Sequence, residues 1–234
     1  MPSRLTALTI DASDPARLAR FWADLLGRDA VADASGVLVP ATAAQLGLRF
    51  VPSAAPRVGL NPSHLHLTSA VQADQDDTVA RALRLGAGHL DVGQLPGERH
   101  VVLADPEGNA FCVIEPGNRF LAGCGFLGEL TCEGGRETGV FWSRALGWPL
   151  VWDQDDETAV QSPQGGTKVS WDGKHLSRRQ GRDRLRLELG AVGDLRAEVD
   201  RLVALGATRL GATGDGSVAL VDPGGNELSV RGAP

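Results

Sequence analysis

Tyrosine is absent from this chain, methionine occurs once, and phenylalanine and tryptophan together contribute 5% of the residues. Few flat platforms are therefore available for stacking nucleobases. Formal net charge is −6, without the concentrated basic face a nucleic-acid partner calls for. Every apolar run is broken within about ten residues by Asp, Arg, Gly or Pro, short of the ~20 a spanning helix needs, so no membrane partner is expected. The opening MPSRLTALTIDASDP turns polar at Asp11 before an apolar signal core can form. Three cysteines, Cys112, Cys124 and Cys132, form no CxxC pair and fit reduced thiols. The expectation is a cytoplasmic chain. With 42% hydrophobic residues it is rich enough to build a core, which excludes a disordered chain.

What the chain does contain, it contains twice. DPARLARFWADLLG (14–27) is echoed by GGRETGVFWSRALG (134–147), with Phe21-Trp22 and Leu26-Gly27 recurring as Phe141-Trp142 and Leu146-Gly147. LHLTS, ARALRLGA and VVLADPEGNAF then recur in the same order as LRLEL, DRLVALGA and VALVDPGGNEL. Three blocks in register indicate a duplication with a period of about 117–120 residues, the size of one small domain. The expected domains are 1–118 and 119–234, with a linker near 116–125 and module breaks near 52–62 and 173–183.

Each half alternates short strands with helices. Asp14 is a natural N-cap with Pro15 at the first helical position. Leu18, Phe21, Trp22, Leu25 and Leu26 then fall on one apolar stripe, and Gly27 stops the helix. Trp22 and Trp142 on that stripe are core residues. In the strand at 64–68, His64, His66 and Thr68 face one way and Leu65 and Leu67 the other. A second helix is expected over 76–85, and Asp105-Pro106-Glu107-Gly108-Asn109 is a tight turn before the last strand, 110–115. Each half thus reads as βαβββ twice. One helix to three strands means a mostly antiparallel sheet and the α+β class.

This layout, with FW…LG closing the helix and DPEGNAF at the turn, resembles the vicinal oxygen chelate superfamily, closest to its glyoxalase-like and bleomycin-resistance-like branch. The resemblance covers both halves. It implies tandem glyoxalase-like domains in which paired βαβββ modules curl into a half-open barrel around a pocket, and a monomer or weak dimer, because two copies in one chain supply the paired surface. Metal-dependent members hold a divalent cation with His, Gln or Glu at four pocket-facing stations. Here those stations fall on Ala7, Arg49, His66 and Cys112 in the first half, and on Leu127, about Ser170, Arg186 and Ser229 in the second. Guanidinium has no lone pair to give a metal, so the arginines oppose ligation.

If pockets are built across the halves, His66 and Cys112 meet the start of the second, where Glu129 adds a carboxylate; His66, Cys112 and Glu129 are then the candidate metal trio. The expectation is a binder of a small organic molecule without a tightly bound metal, its pocket lined by Arg49, His64, Cys112, Glu129, Ser170, Arg186 and Ser229. Alternatives are a metal-dependent lyase or dioxygenase, glyoxalase I-like if an enzyme, a drug-sequestering resistance protein, and a metal-free enzyme with His66 as general base and Arg186 as oxyanion support. Glu115 is expected to face away from the pocket, and 153–157 to be a solvated hairpin turn. Arg186, on one strand face with Arg184 and Glu188, needs an anion: Glu188 or Glu129 internally, or a carboxylate, phosphate or enolate-like ligand.

Overall fold

The computed structural model describes residues 2–55, 59–173 and 181–232. Parts of both expected module breaks, 56–58 and 174–180, lie outside the described residues.

Four βαβββ modules follow one another. The first is β1 (Arg4–Ala12), α1 (Pro15–Leu26), β2 (Val31–Asp33), β3 (Gly36–Val39) and β4 (Leu48–Pro52). The second is β5 (Ser63–Leu67), α2 (Gln72–Leu85), β6 (Gly88–His89), β7 (Val101–Ala104) and β8 (Ala110–Val113). The third is β9 (Leu127–Cys132), α3 (Arg136–Leu146), β10 (Leu150–Gln154), β11 (Glu157–Val160) and β12 (Lys168–Trp171). The fourth is β13 (Leu185–Gly190), α4 (Leu195–Ala204), β14 (Thr208–Ala212), β15 (Val218–Val221) and β16 (Glu227–Arg231). In each module the first strand lies parallel to the last and the remaining pairings are antiparallel.

The modules are crossed between the two halves. The first sheet runs β14-β15-β16-β13-β1-β4-β3-β2, so it joins modules one and four. The second runs β10-β11-β12-β9-β5-β8-β7-β6 and joins modules two and three. Antiparallel pairs β1–β13 and β5–β9 are the seams. The protein is α+β, with tandem halves that complete each other's sheets.

Local chemistry explains the elements. Asp14 accepts a hydrogen bond from the Arg17 amide at 3.0 Å, and Gly27 ends α1 in the left-handed region. α2 starts a turn earlier than the apolar pattern suggested. Asp74 accepts the amides of Ala70 and Val71, both at 3.1 Å, and so caps a polar first turn that periodicity does not register. Gln75 in that turn is buried and donates to the Arg99 and Val113 carbonyls.

The repeated FW and DP-GN motifs meet across the sheets. Trp22 Nε1, on α1 of the first module, donates to Asp105 Oδ2 in the β7–β8 turn of the second sheet at 3.1 Å. Trp142 Nε1, on α3, donates to Asp222 Oδ2 in the β15–β16 turn of the first sheet at 2.8 Å. Asp105 and Asp222 also gather the backbone and side-chain N–H groups of Asn109 and Asn226. Both tryptophans are fully buried in one core that both sheets share. Among the described residues, no helix is long and apolar enough to cross a membrane.

Replacing Trp142 with Phe keeps the packing and leaves the buried Asp222 carboxylate one donor short. Urea denaturation should show a loss of roughly 1.5–3 kcal/mol, the range for hydrogen bonds to charged groups. A loss within error of zero would show that this bond does not support the fold.

Candidate functional site

The faces of the two sheets turned away from the shared core have become chemically different. On the first sheet, Ala7, Thr9 and Asp11 alternate with the core residues Leu8 and Ile10. Arg184, Arg186 and Glu188 alternate with Leu185, Leu187 and Leu189, as the sequence pattern indicated. Arg186 Nη2 lies 2.6 Å from Asp11 Oδ1, with both side chains buried. Glu188 Oε2 lies 3.1 Å from both Arg49 Nε and Arg231 Nε. Arg49 continues to Asp33 and Arg231 to Asp215, each at 2.5 Å. Burial would raise the Asp215 carboxyl, but the hydrogen bonds from Thr213 and Ser217, joined by the Arg231 charge, together hold it well below its usual range.

The expected partners of Arg186 are thus corrected. Its carboxylate comes from Asp11 on the neighbouring strand, Glu188 is engaged by two other arginines, and Glu129 stands in the other sheet. Ser229 lies beside Glu188 in the strand register, also in the first sheet. Arg49, Arg186 and Ser229 therefore share no pocket with His66.

The second sheet carries a cavity of about 450 Å³. His64 and His66 reach it from β5, Cys112 from β8, Glu129 from β9 and Ser170 from β12. The seam explains the meeting: His66 is opposite Glu129 across the antiparallel pair and opposite Cys112 across the parallel one. Leu127 and Glu129 do not share a face, contrary to strict alternation. The register shifts between them, which sends Leu127 into the core and turns Glu129 to the cavity.

His66 Nδ1 donates to Glu129 Oε2 at 2.6 Å, and Ser170 Oγ donates to Glu129 Oε1. On the other side of the ring, His66 Nε2 lies 3.0 Å from His64 Nε2. One ligand atom each from His64, His66 and Cys112 falls within 4.8 Å of the other two. The converging trio therefore contains His64, whereas Glu129 is spent on orienting His66.

Burial by itself would lower the pKa of His66. Hydrogen bonding to Cys112 and Glu129, together with the Glu129 charge, outweighs it and raises the value to about 10. His64 goes the opposite way, to about 3, through burial and the adjacent His66 charge. Burial would raise Glu129, yet the His66 and Ser170 interactions bring it below its ordinary value. At neutral pH a charged His66 thus links a carboxylate to a neutral His64.

Several cavity residues escaped the sequence pattern. Trp152 and Phe120 form part of the wall, the latter from a segment that reads as a plain linker. Glu115 lines the cavity because β8 ends at Val113 and alternation stops there. Glu157 also lines it, while Asp153, at the other end of that hairpin, pairs with Arg136 at 2.7 Å.

A family model described as a glyoxalase-like domain matches residues 7–114 and again residues 129–231. Glyoxalase I from Zea mays has a TM-score of 0.66 at 15% identity, over 97% of this chain and 92% of that one. A proposed dioxygenase from Bacillus subtilis has a TM-score of 0.62 at 14% identity, over 98% of this chain and 85% of that one. At these identities the likeness establishes the fold alone. A search of curated protein sequences finds no match.

The two faces should respond differently to change. Arg186→Leu strands a buried Asp11 carboxylate and should cost about 3–5 kcal/mol in chemical denaturation; a loss below about 1 kcal/mol would show that the pair is solvated. For His66, the raised pKa means that its stabilising contribution is complete below the ordinary 6.5 and is lost as pH rises through about 10. Glu129, being lowered, contributes above the ordinary 4.5 and loses its contribution as pH falls. Imidazole NMR titration in the presence of a chelator should find His66 still protonated at about pH 8, and Glu129→Gln should lower its midpoint by at least about one unit. A wild-type midpoint near 6.5 would contradict the assignment.

Proposed function

The chain belongs to the glyoxalase-like domain family of the vicinal oxygen chelate superfamily, and we propose that it binds one small organic molecule in the cavity of the second sheet. The observation that carries this reading is the asymmetry of the two faces. One is crossed by arginine–carboxylate pairs, and the other holds an open cavity of about 450 Å³ with His64, His66, Cys112 and Glu129 at its wall. Pockets of this kind combine an apolar wall with a few fixed polar groups.

The polar end favours a ligand oxygen with lone pairs, such as a carbonyl or hydroxyl. Charged His66 gives its two N–H groups to Glu129 and to His64 Nε2, so neutral His64 carries its proton on Nδ1 and supplies the donor that remains at the cavity wall. The role of His66 differs from that of a general base, which would need His66 neutral. Glu115, Glu129 and Glu157 on the lining disfavour an anionic ligand. The carboxylate, phosphate or enolate-like ligand considered for the arginine face has no support, since protein carboxylates already engage Arg49 and Arg186.

A second reading is favoured by the convergence of His64, His66 and Cys112. Two imidazoles and a thiolate, with a carboxylate behind one imidazole, suit a soft divalent cation such as zinc. The residues facing outward from the first sheet, with Arg49 and Arg186, do not suit one. When bound, such an ion would supply Lewis-acid polarisation of a substrate oxygen, the chemistry of a metal-dependent lyase or dioxygenase. In either case Glu129 orients His66, and Cys112 and Ser170 complete the polar wall.

Ligand-observed NMR with a panel of neutral carbonyl compounds tests the main reading. His64→Ala should abolish binding of any compound found, and Arg49→Met should leave its affinity within about twofold. The opposite pattern would move the site to the first sheet. Elemental analysis of protein purified without chelator separates the two readings. A stoichiometric ion, lost in both His64→Ala and His66→Ala, would replace the metal-free reading with the metal-dependent one.

A further inference from the structure

The segment between the two halves is built into the cavity. Leu121 and Cys124 are buried against Val102, Cys112 and Ile114 in a small apolar cluster separate from the main core, with Phe120 packed against it. The segment is pinned locally, Leu121 N donating to Asn118 Oδ1 at 3.2 Å and Cys124 N to the Leu121 carbonyl at 3.2 Å. Gln161 Nε2 reaches it as well, 3.6 Å from Cys124 Sγ.

Lys168 is the contact that ordinary pairing rules do not anticipate. It stands directly across from Glu129 in the β9–β12 register. Its ammonium goes instead to the Phe120 carbonyl and sits 4.5 Å from the centroid of the Phe120 ring. A cation over a ring face fixes the plane of that ring. The same ring meets Trp152 at 5.5 Å between centroids and at 90° between planes. Both aromatics line the cavity. The result is a right-angled corner of two ring systems, one from the linker and one from β10, with Lys168 bracing it.

Resting on the reading that this cavity binds a small molecule, we propose that Phe120 and Trp152 are specificity-determining residues that select a ligand bearing a flat unsaturated ring, and that Lys168 is the positioning residue that holds Phe120 in place. A flat ring stacks on one aromatic while meeting the other edge-on, the two arrangements aromatic quadrupoles prefer. A puckered saturated ring of similar size satisfies neither. With His64 at the polar wall and Glu115, Glu129 and Glu157 on the lining, the selected ligand class is a neutral aromatic or conjugated carbonyl compound.

Acetophenone and cyclohexyl methyl ketone share the methyl ketone and differ in the flatness of the ring. Titration of the full chain, followed by ligand-observed NMR, should show acetophenone bound about three- to tenfold tighter. Phe120→Leu should bring the ratio to about one, because leucine fills the space without a ring face. Lys168→Met should do the same and Lys168→Arg should restore the preference, a rescue that mere loss of bulk does not predict. His64→Ala should weaken both ketones and leave their ratio unchanged, which separates the corner from the polar end. A wild-type ratio near one, or an unchanged ratio in Phe120→Leu, would overturn the corner while the site itself stands. An unchanged ratio in Lys168→Met would overturn the role of Lys168. Binding of neither ketone by the wild type would overturn the site reading and the corner with it.

Discussion

Two buried indole–carboxylate bonds tie this molecule together. Trp22 and Trp142 each hold an aspartate belonging to the opposite sheet. Each aspartate in turn folds its own DP-GN turn by collecting the N–H groups of an asparagine. One carboxylate thus sets a local turn and a long-range contact at once. Burying a charge is costly unless its acceptor positions are filled, and here tryptophan, asparagine and backbone donors together fill them. Burial raises the Asp105 carboxyl, while the hydrogen bonds to Asn109 and Trp22 oppose that rise. The bonds are related by the internal duplication but their surroundings differ. Glu107 beside Asp105 accepts the Ser13 and Asp14 amides at 2.8 Å, whereas Gly224 in the corresponding turn has no side chain to offer.

With the sheets clasped in this way, each seam brings the first strands of two modules side by side. In the second sheet that juxtaposition gives His66 its carboxylate, while the thiol comes from β8 of its own module and the imidazole from its own strand. In the first sheet the same juxtaposition gives Arg186 its Asp11. The difference between a cavity and a closed ion-pair face comes down to residue types at equivalent positions of one scaffold.

The fold was legible because its signals are local and repeated. The stripe Leu18, Phe21, Trp22, Leu25, Leu26 and the alternation of His64 and His66 with Leu65 and Leu67 follow from helix and strand periods alone. Legibility ended where pairing became non-local. Whether Glu129 turned towards His66 or followed Leu127 depended on a register shift that leaves no mark in the residue pattern. The partner of Arg186 required knowing that β1 lies next to β13. Phe120 read as linker because an aromatic in an irregular segment has no period to reveal which way it points. Trp152 lies on a regular strand, but nothing local distinguishes a cavity-facing tryptophan at a sheet edge from a solvent-facing one.

The crossed assembly has a consequence for how such a chain can change. In a dimer of two identical chains, every substitution appears in both sheets, so a residue that closes one face closes the other. Joining the copies removes that constraint. Arg49, Arg186 and Arg231 stand in one sheet without obliging arginine in the other, where Cys112 and Ser170 line the cavity. Covalent linkage here is symmetry breaking: it lets one copy of a face become a strut while its twin stays open as a cavity.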